Sequence, residues 1–306
     1  MKTKAKLAVL LGVTKTELVK ISKSTKLAGS GAYKEWETRP KFPNSKHPAL
    51  VHKSRKIQEP VGLLRDVQDR ASQLLSRINL PEYLHSARKG HSYRTNAAVH
   101  DGPGCAFRID IKRFYESAQD TYVQRFFLER LECSPDVAHI LTEITCFRRR
   151  LPTGSPLSPL ISYFAYAAMF DRLAELANSV GARMTVYVDD VVFSGTNVTG
   201  DLIPACVKIM RDFELIGHKI LFYSLGEERV VTGLSVSPSG IGVTNKRKRK
   251  LRALLEERAL ATDPEDKKLY TNSLIGLLRE SGSIDPAYLP LARKFEMESR
   301  ATTVKA

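Results

Sequence analysis

Asp189 and Asp190 are adjacent and follow Tyr187-Val188. They lie between two β-branched runs, Met184 to Val188 and Val191 to Phe193, which read as strands joined by a tight turn. A third carboxylate, Asp110, ends the short apolar strand candidate Ala106 to Ile111. Carboxylates held on rigid strands in separate segments suit magnesium-dependent phosphoryl transfer. Two hard cations a few ångströms apart need oxygen ligands from at least two segments. Taken singly, each residue has a plainer reading, since Asp is common in turns and at helix N-caps.

The elements that must position these groups can be read in chain order. Leu7, Leu10, Leu11, Leu18 and Ile21 recur at helical spacing, with Gly12 interrupting, which predicts a helical arm over 1–30. Residues 31–54 are rich in Lys, Pro, Ser and His and read as loop or short β-structure. Pro60 is expected to open a helix whose stripe runs from Val61 to Ile78, limited by Pro81. Helices are expected over 119–132 and 136–147, and one long apolar helix from the Leu151-Pro152-Thr153-Gly154 loop to about Ser179. After the Asp-Asp hairpin come a helix over 201–216 and strands over 219–224 and 229–235. From about residue 240 the chain reads as mostly helical. This order predicts an α+β fold with an antiparallel sheet carrying helices on one face.

The net charge of +15, from 48 basic and 33 acidic residues, favours a polyanionic partner. Basic residues cluster at Arg148-Arg149-Arg150 and at Lys246-Arg247-Lys248-Arg249-Lys250. Either run alone reads as well as a solvated face; together with the global excess they point to nucleic acid. Cys105, Cys133, Cys146 and Cys206 show no CxxC spacing and are expected as free thiols in a reducing cytoplasm, with no zinc site. No stretch approaches the apolar length of a membrane span, and Leu7–Leu11 lacks the pattern of a secretory signal.

Six motifs in order carry a resemblance. Asp110 followed by aromatics, Leu151 to Pro159, and Tyr187-Val188-Asp189-Asp190 resemble the ordered palm motifs of reverse transcriptases. Arg55-x-Ile57-x-x-Pro60 resembles their fingers motif. Asn96-Ala97-Ala98-Val99-His100 and Val231-Thr232-Gly233 resemble two elements of bacterial retron reverse transcriptases. The resemblance covers about residues 30–280 and implies a right-hand polymerase: an arm at 1–30, fingers at 31–104 joined by 121–152, a palm at 105–238 and a basic helical thumb at 239–306.

It further implies a metal set of Asp110, Ile111, Asp189 and Asp190 holding two Mg2+ ions, with the three aspartates catalytic. Tyr115 matches the steric gate that favours deoxynucleotides, and Arg55 the arginine on the incoming triphosphate. Gly154 would admit close backbone approach, and Lys219 is near the position of a lysine proposed to protonate pyrophosphate. Asn96, His100, Val231, Thr232 and Gly233 are associated with a cognate structured RNA, and Lys246 to Lys250 would lie on a duplex backbone. Two departures stand out. Thr153 occupies a position where the family commonly has Gln, and Val188 one where retron enzymes often have Ala.

The expected activity is thus RNA-directed DNA synthesis from deoxynucleoside triphosphates. It would copy part of a partner non-coding RNA, self-primed from an RNA 2′-hydroxyl, into a branched RNA–DNA (msDNA). The resemblance also implies anti-phage defence beside a separate effector protein. Alternatives are a group II intron-like or protein-primed phage-exclusion polymerase, or a non-catalytic RNA-binding scaffold.

Overall fold

The computed structural model describes residues 1–25, 31–51 and 53–303. These divide into two compact units, 1–37 with 56–227, and 38–55 with the segment from Glu228 onward.

In the first unit, α1 (Lys4–Leu11) and α2 (Lys15–Ser24) form the expected arm. Gly12, at φ +74°, ends α1, and Thr14 and Glu17 close a capping box on α2. Residues 26–30 of that arm lie outside the described residues. The strands β1 (Tyr33–Glu37) and β2 (Lys56–Pro60) pair antiparallel, with Tyr33 opposite Pro60. Pro60 therefore ends a strand and does not open a helix. The helix α3 (Leu63–Leu75) begins past Gly62, whose φ of +55° turns the chain.

Next come α4 (Tyr93–Val99), β3 (Cys105–Ile111), α5 (Phe114–Ser117), α6 (Asp120–Arg125), which continues as a π-turn over Phe126–Arg130, and α7 (Pro135–Thr145). The single long apolar helix expected after residue 151 is two helices, α8 (Ser158–Ala165) and α9 (Ala167–Ser179). They break at Tyr166 (φ −115°, ψ 19°). Its fully buried ring packs on Phe114 and Tyr122, and its hydroxyl accepts the Gln119 amide. Aromatic packing and that polar anchor hold the break. The unit ends with β4 (Arg183–Tyr187), β5 (Asp190–Gly195), α10 (Leu202–Asp212) and β6 (Gly217–Tyr223).

The antiparallel sheet runs β4-β5-β3-β6, so β3 is flanked on both sides. Its side chains alternate. Phe107, Ile109 and Ile111 are fully buried, which sends Arg108 and Asp110 to the other face.

The second unit opens with a meander of β7 (Arg229–Val231), β8 (Leu234–Ser237) and β9 (Gly240–Val243). It continues with α11 (Asn245–Leu260), α12 (Pro264–Gly282) and α13 (Leu289–Thr303). The strand expected over 229–235 is interrupted at Thr232-Gly233, both at positive φ, a two-residue hairpin turn. The strand β9 has no counterpart in the sequence reading. Leu251, Leu254, Tyr270, Leu274 and Leu278 form the core, and Phe42 and Leu50 from the 38–55 segment complete it. Phe42 stacks on Tyr270 at 5.3 Å. The two compact units meet in sequence at 37/38, 55/56 and 227/228, so residues 38–55 go with the C-terminal unit.

Candidate active site

The turn that carries the carboxylate pair is built from Val188 and Asp189, because Tyr187 and Asp190 are already paired strand residues. Val188 takes φ +58°, a strained value for a β-branched residue. Four hydrogen bonds hold it there. The Val188 amide donates to Ser86 Oγ at 3.0 Å, and the Ile111 amide donates to the Asp189 carbonyl at 2.7 Å. The segment Tyr83–Ser86 straps the outer edge of β4, giving the His85 amide to the Val186 carbonyl at 2.9 Å and taking the Val186 amide on the Tyr83 carbonyl at 2.7 Å.

Asp110 stands directly opposite Asp190 in the β3–β5 register. Burial pushes the Asp190 carboxyl up to about 6; Arg108 pulls against that rise, while Asp189 and Asp110 add to it. Asp190 Oδ1 is buried with no hydrogen-bond partner among the described residues. A buried carboxylate oxygen left without a donor, beside two further carboxylates, suits a cation. Among the described residues no three acidic, His or Cys side chains close tightly enough to hold an ion by themselves. The Ile111 side chain is fully buried, so only its main chain is available to an ion.

A β-bulge between β3 and β6 brings Lys219 to the site. Lys219, at φ +49°, sets its Nζ 3.3 Å from Asp110 Oδ2. His218 Nδ1 lies 3.0 Å from the Asp110 carbonyl and 3.2 Å from Asp110 Oδ1. Neither His218 nor Arg108 figured in the sequence reading. Arg108 was legible, because two residues before Asp110 on a strand is the same face. His218 was not, since its place depends on the bulge.

Tyr115, on α5, stands near Asp189; burial first, then the charges of Asp189 and Tyr187, hold its phenol well above the usual range. The 151–155 loop is bound to β2. Thr153 Oγ1 accepts from the Gln58 amide at 3.3 Å and donates to the Lys56 carbonyl at 2.9 Å. The Gly154 amide donates to the Gln58 carbonyl at 3.1 Å, and a Cβ on Gly154 would lie 2.8 Å from that oxygen. The close approach to β2 by itself requires glycine here. Arg55 lies in the second unit, just before β2, exposed, with its amide on Thr38 Oγ1.

Several residues expected at RNA are not on the surface. Asn96 and His100 are both 0 % exposed. His100 bridges Ser194 Oγ and Thr185 Oγ1 at 2.7 Å each, pinning the end of α4 to β4 and β5. Direct RNA contact is closed to both side chains as they are buried here; His100 ties α4 to the sheet that bears Asp190, while both polar atoms of the Asn96 amide are buried with no hydrogen-bond partner among the described residues. Val231 is buried at 1 %, leaving only Thr232 and Gly233 of that element accessible. Arg247 turns inward to Glu280 on α12 at 3.0 Å, while Lys246, Lys248, Arg249 and Lys250 stay exposed. Of the other basic run, Arg148 forks onto Glu35 and Arg149 pairs with Asp120.

No family model matches the chain. The chain is similar to the retron Se72 reverse transcriptase of Salmonella heidelberg (strain 579083-10), 31 % identical over 61 % of this chain and 47 % of that one. It is 27 % identical to the retron Mx65 reverse transcriptase of Myxococcus xanthus, over 74 % of this chain and 58 % of that one. The retron Ec73 reverse transcriptase of Escherichia coli is 28 % identical over 74 % of this chain and 78 % of its own length. The chain thus spans about half the length of the first two relatives. Among solved structures, a foamy viral protease-reverse transcriptase in complex with double-stranded DNA aligns with TM-score 0.46 and 17 % identity, over 80 % of this chain and 36 % of that one.

Proposed function

We propose that this chain, similar as it is to retron reverse transcriptases, is an RNA-directed DNA polymerase of that type. The observation that carries the reading is the pairing of Asp110 with Asp190 across β3 and β5, with Asp189 in the adjoining turn and Asp190 Oδ1 lacking a donor. The first unit would supply the palm and part of the fingers of a right-hand polymerase, and α11–α13 the thumb.

When bound, two magnesium ions supply activation of the primer hydroxyl and neutralisation of the triphosphate and departing pyrophosphate. Asp110, Asp189 and Asp190, with the Ile111 carbonyl, would hold them. Tyr115 presents a rigid aromatic wall beside Asp189, suited to excluding a ribose 2′-hydroxyl. Lys219 sets its ammonium beside Asp110 at 3.3 Å, suited to giving a proton to the leaving pyrophosphate. The Thr153 and Gly154 contacts fix the loop behind these groups to β2, so that positioning supplies most of the catalysis.

The template would be a cognate non-coding RNA, contacted through Thr232, Gly233, Lys246, Lys248, Arg249 and Lys250, and primed from one of its own 2′-hydroxyls to give msDNA. A separate effector protein and a role in anti-phage defence in the cytoplasm complete the reading. No helix among the described residues is long and apolar enough to cross a membrane.

The test is synthesis itself. Purified chain with its co-purifying RNA, Mg2+ and the four deoxynucleoside triphosphates should yield DNA covalently joined to RNA. The Asp189→Asn, Asp190→Asn double variant should lose that product by at least about 100-fold, the scale on which metal sites respond to lost carboxylates. An unchanged yield would falsify the catalytic assignment.

A further inference from the structure

A polar cavity lies wholly within the second unit. It encloses about 320 Å³ between the β8–β9 hairpin, the first turns of α11 and the turn at residues 285–288. Its floor follows from strand register. Ser235 pairs with Gly242 and Ser237 with Gly240, so two serines and two glycines share one face of the hairpin. Gly242 is the informative one. It sits in a strand without a left-handed φ, and a Cβ there would meet nothing closer than Ser235 Cβ at 4.0 Å. Neither backbone strain nor packing demands glycine, and what its missing side chain provides is an open, flat floor.

The walls are chemically mixed. Lys248 brings a cation, Glu228 and Asp285 bring carboxylates, and Tyr288 brings an aromatic ring. Local bonds orient several of these groups. Ser235 Oγ donates to Glu228 at 2.6 Å, Ser237 and Ser239 hydroxyls lie 2.8 Å apart, and Asp285 Oδ1 accepts the Ala287 amide at 3.0 Å. A bare phosphate is disfavoured by the two carboxylates, and an apolar ligand by the hydroxyl floor. A ribonucleotide satisfies the whole set. Its phosphate answers Lys248, its base lies flat on the glycines or against Tyr288, and its hydroxyl and amino donors answer the carboxylates.

We infer that this cavity binds one unstacked ribonucleotide, supplied by the RNA partner, and distinguishes ribose from deoxyribose through carboxylate acceptance of the 2′-hydroxyl. The identity of the supplier rests on the reverse-transcriptase reading; the binding itself does not. The experiment uses the full chain in EDTA, which removes metal-dependent nucleotide binding at the aspartate trio. Saturation-transfer NMR is run with the four ribonucleoside 5′-monophosphates and their 2′-deoxy counterparts. At least one ribonucleotide should bind, with its deoxy counterpart roughly ten-fold weaker, the scale of one hydrogen bond to a charged group. Gly242→Phe, which fills the floor, should abolish the signal. The isosteric pair Glu228→Gln with Asp285→Asn, which spares the fold, should erase the ribose preference. No binding by the wild type, equal binding of ribo and deoxy forms, or binding unchanged in both variants would overturn the inference. Because no polymerisation is read, failure here is separate from failure of the Asp189/Asp190 test.

Discussion

Asp190 is held where a carboxylate is uncomfortable. Its carboxyl rises from 3.8 to about 6 on folding, chiefly by burial. Between those values the folded chain binds more protons than the unfolded one, so stability falls as pH rises through that window and stays low above it. In EDTA at pH 8, Asp190→Asn should therefore melt at a higher temperature than wild type while losing synthesis, and the gap should narrow near pH 5. A gap independent of pH would remove burial of that charge as the cause. His100 shows the opposite economy. Its ring satisfies two buried hydroxyls, so His100→Ala should cost about 2–4 kcal/mol by urea unfolding, through a cavity and two orphaned groups. A loss of RNA affinity with unaltered stability would instead restore the contact role expected from the sequence.

At the scale of elements, the 151–155 loop and β2 behave as one piece. Gly154→Ala would place a methyl 2.8 Å from a carbonyl that cannot retreat without breaking β2. It should destabilise the chain by about 1–3 kcal/mol and lower synthesis, whereas Thr153→Ser, which keeps the bridging hydroxyl, should be tolerated in both assays. This level also marks what was legible. Apolar and β-branched runs gave β3, β4 and β5, with Asp110 and Asp190 on them and Asp189 in the turn between β4 and β5, because such runs are local in the sequence. Helical spacing of Leu7, Leu10, Leu11, Leu18 and Ile21, with Gly12 interrupting, gave the arm of α1 and α2. The break at Tyr166 was hidden, since an apolar run reads the same whether one helix or two bury it, and rings distant in sequence decide the matter. The Lys219 bulge, the burial of Asn96 and His100, and the turn at Thr232-Gly233 likewise depend on tertiary placement that spacing does not reveal.

Over the whole molecule, the two units exchange chain: the second borrows residues 38–55 from the N-terminal half. Phe42→Ala should cost the second unit about 3–5 kcal/mol. Limited trypsin digestion should then cut within residues 228–303 while 56–227 resists; even cutting throughout would show that the units do not unfold separately. The same borrowing sets an order on synthesis. Phe42 and Leu50 leave the ribosome long before Tyr270 and Leu274 exist to cover them, while the first unit has all its strands once residue 223 has emerged. Until the last helices follow, a nascent chain with a finished four-stranded sheet carries an uncovered apolar loop, the kind of surface that chaperones hold and that aggregation exploits.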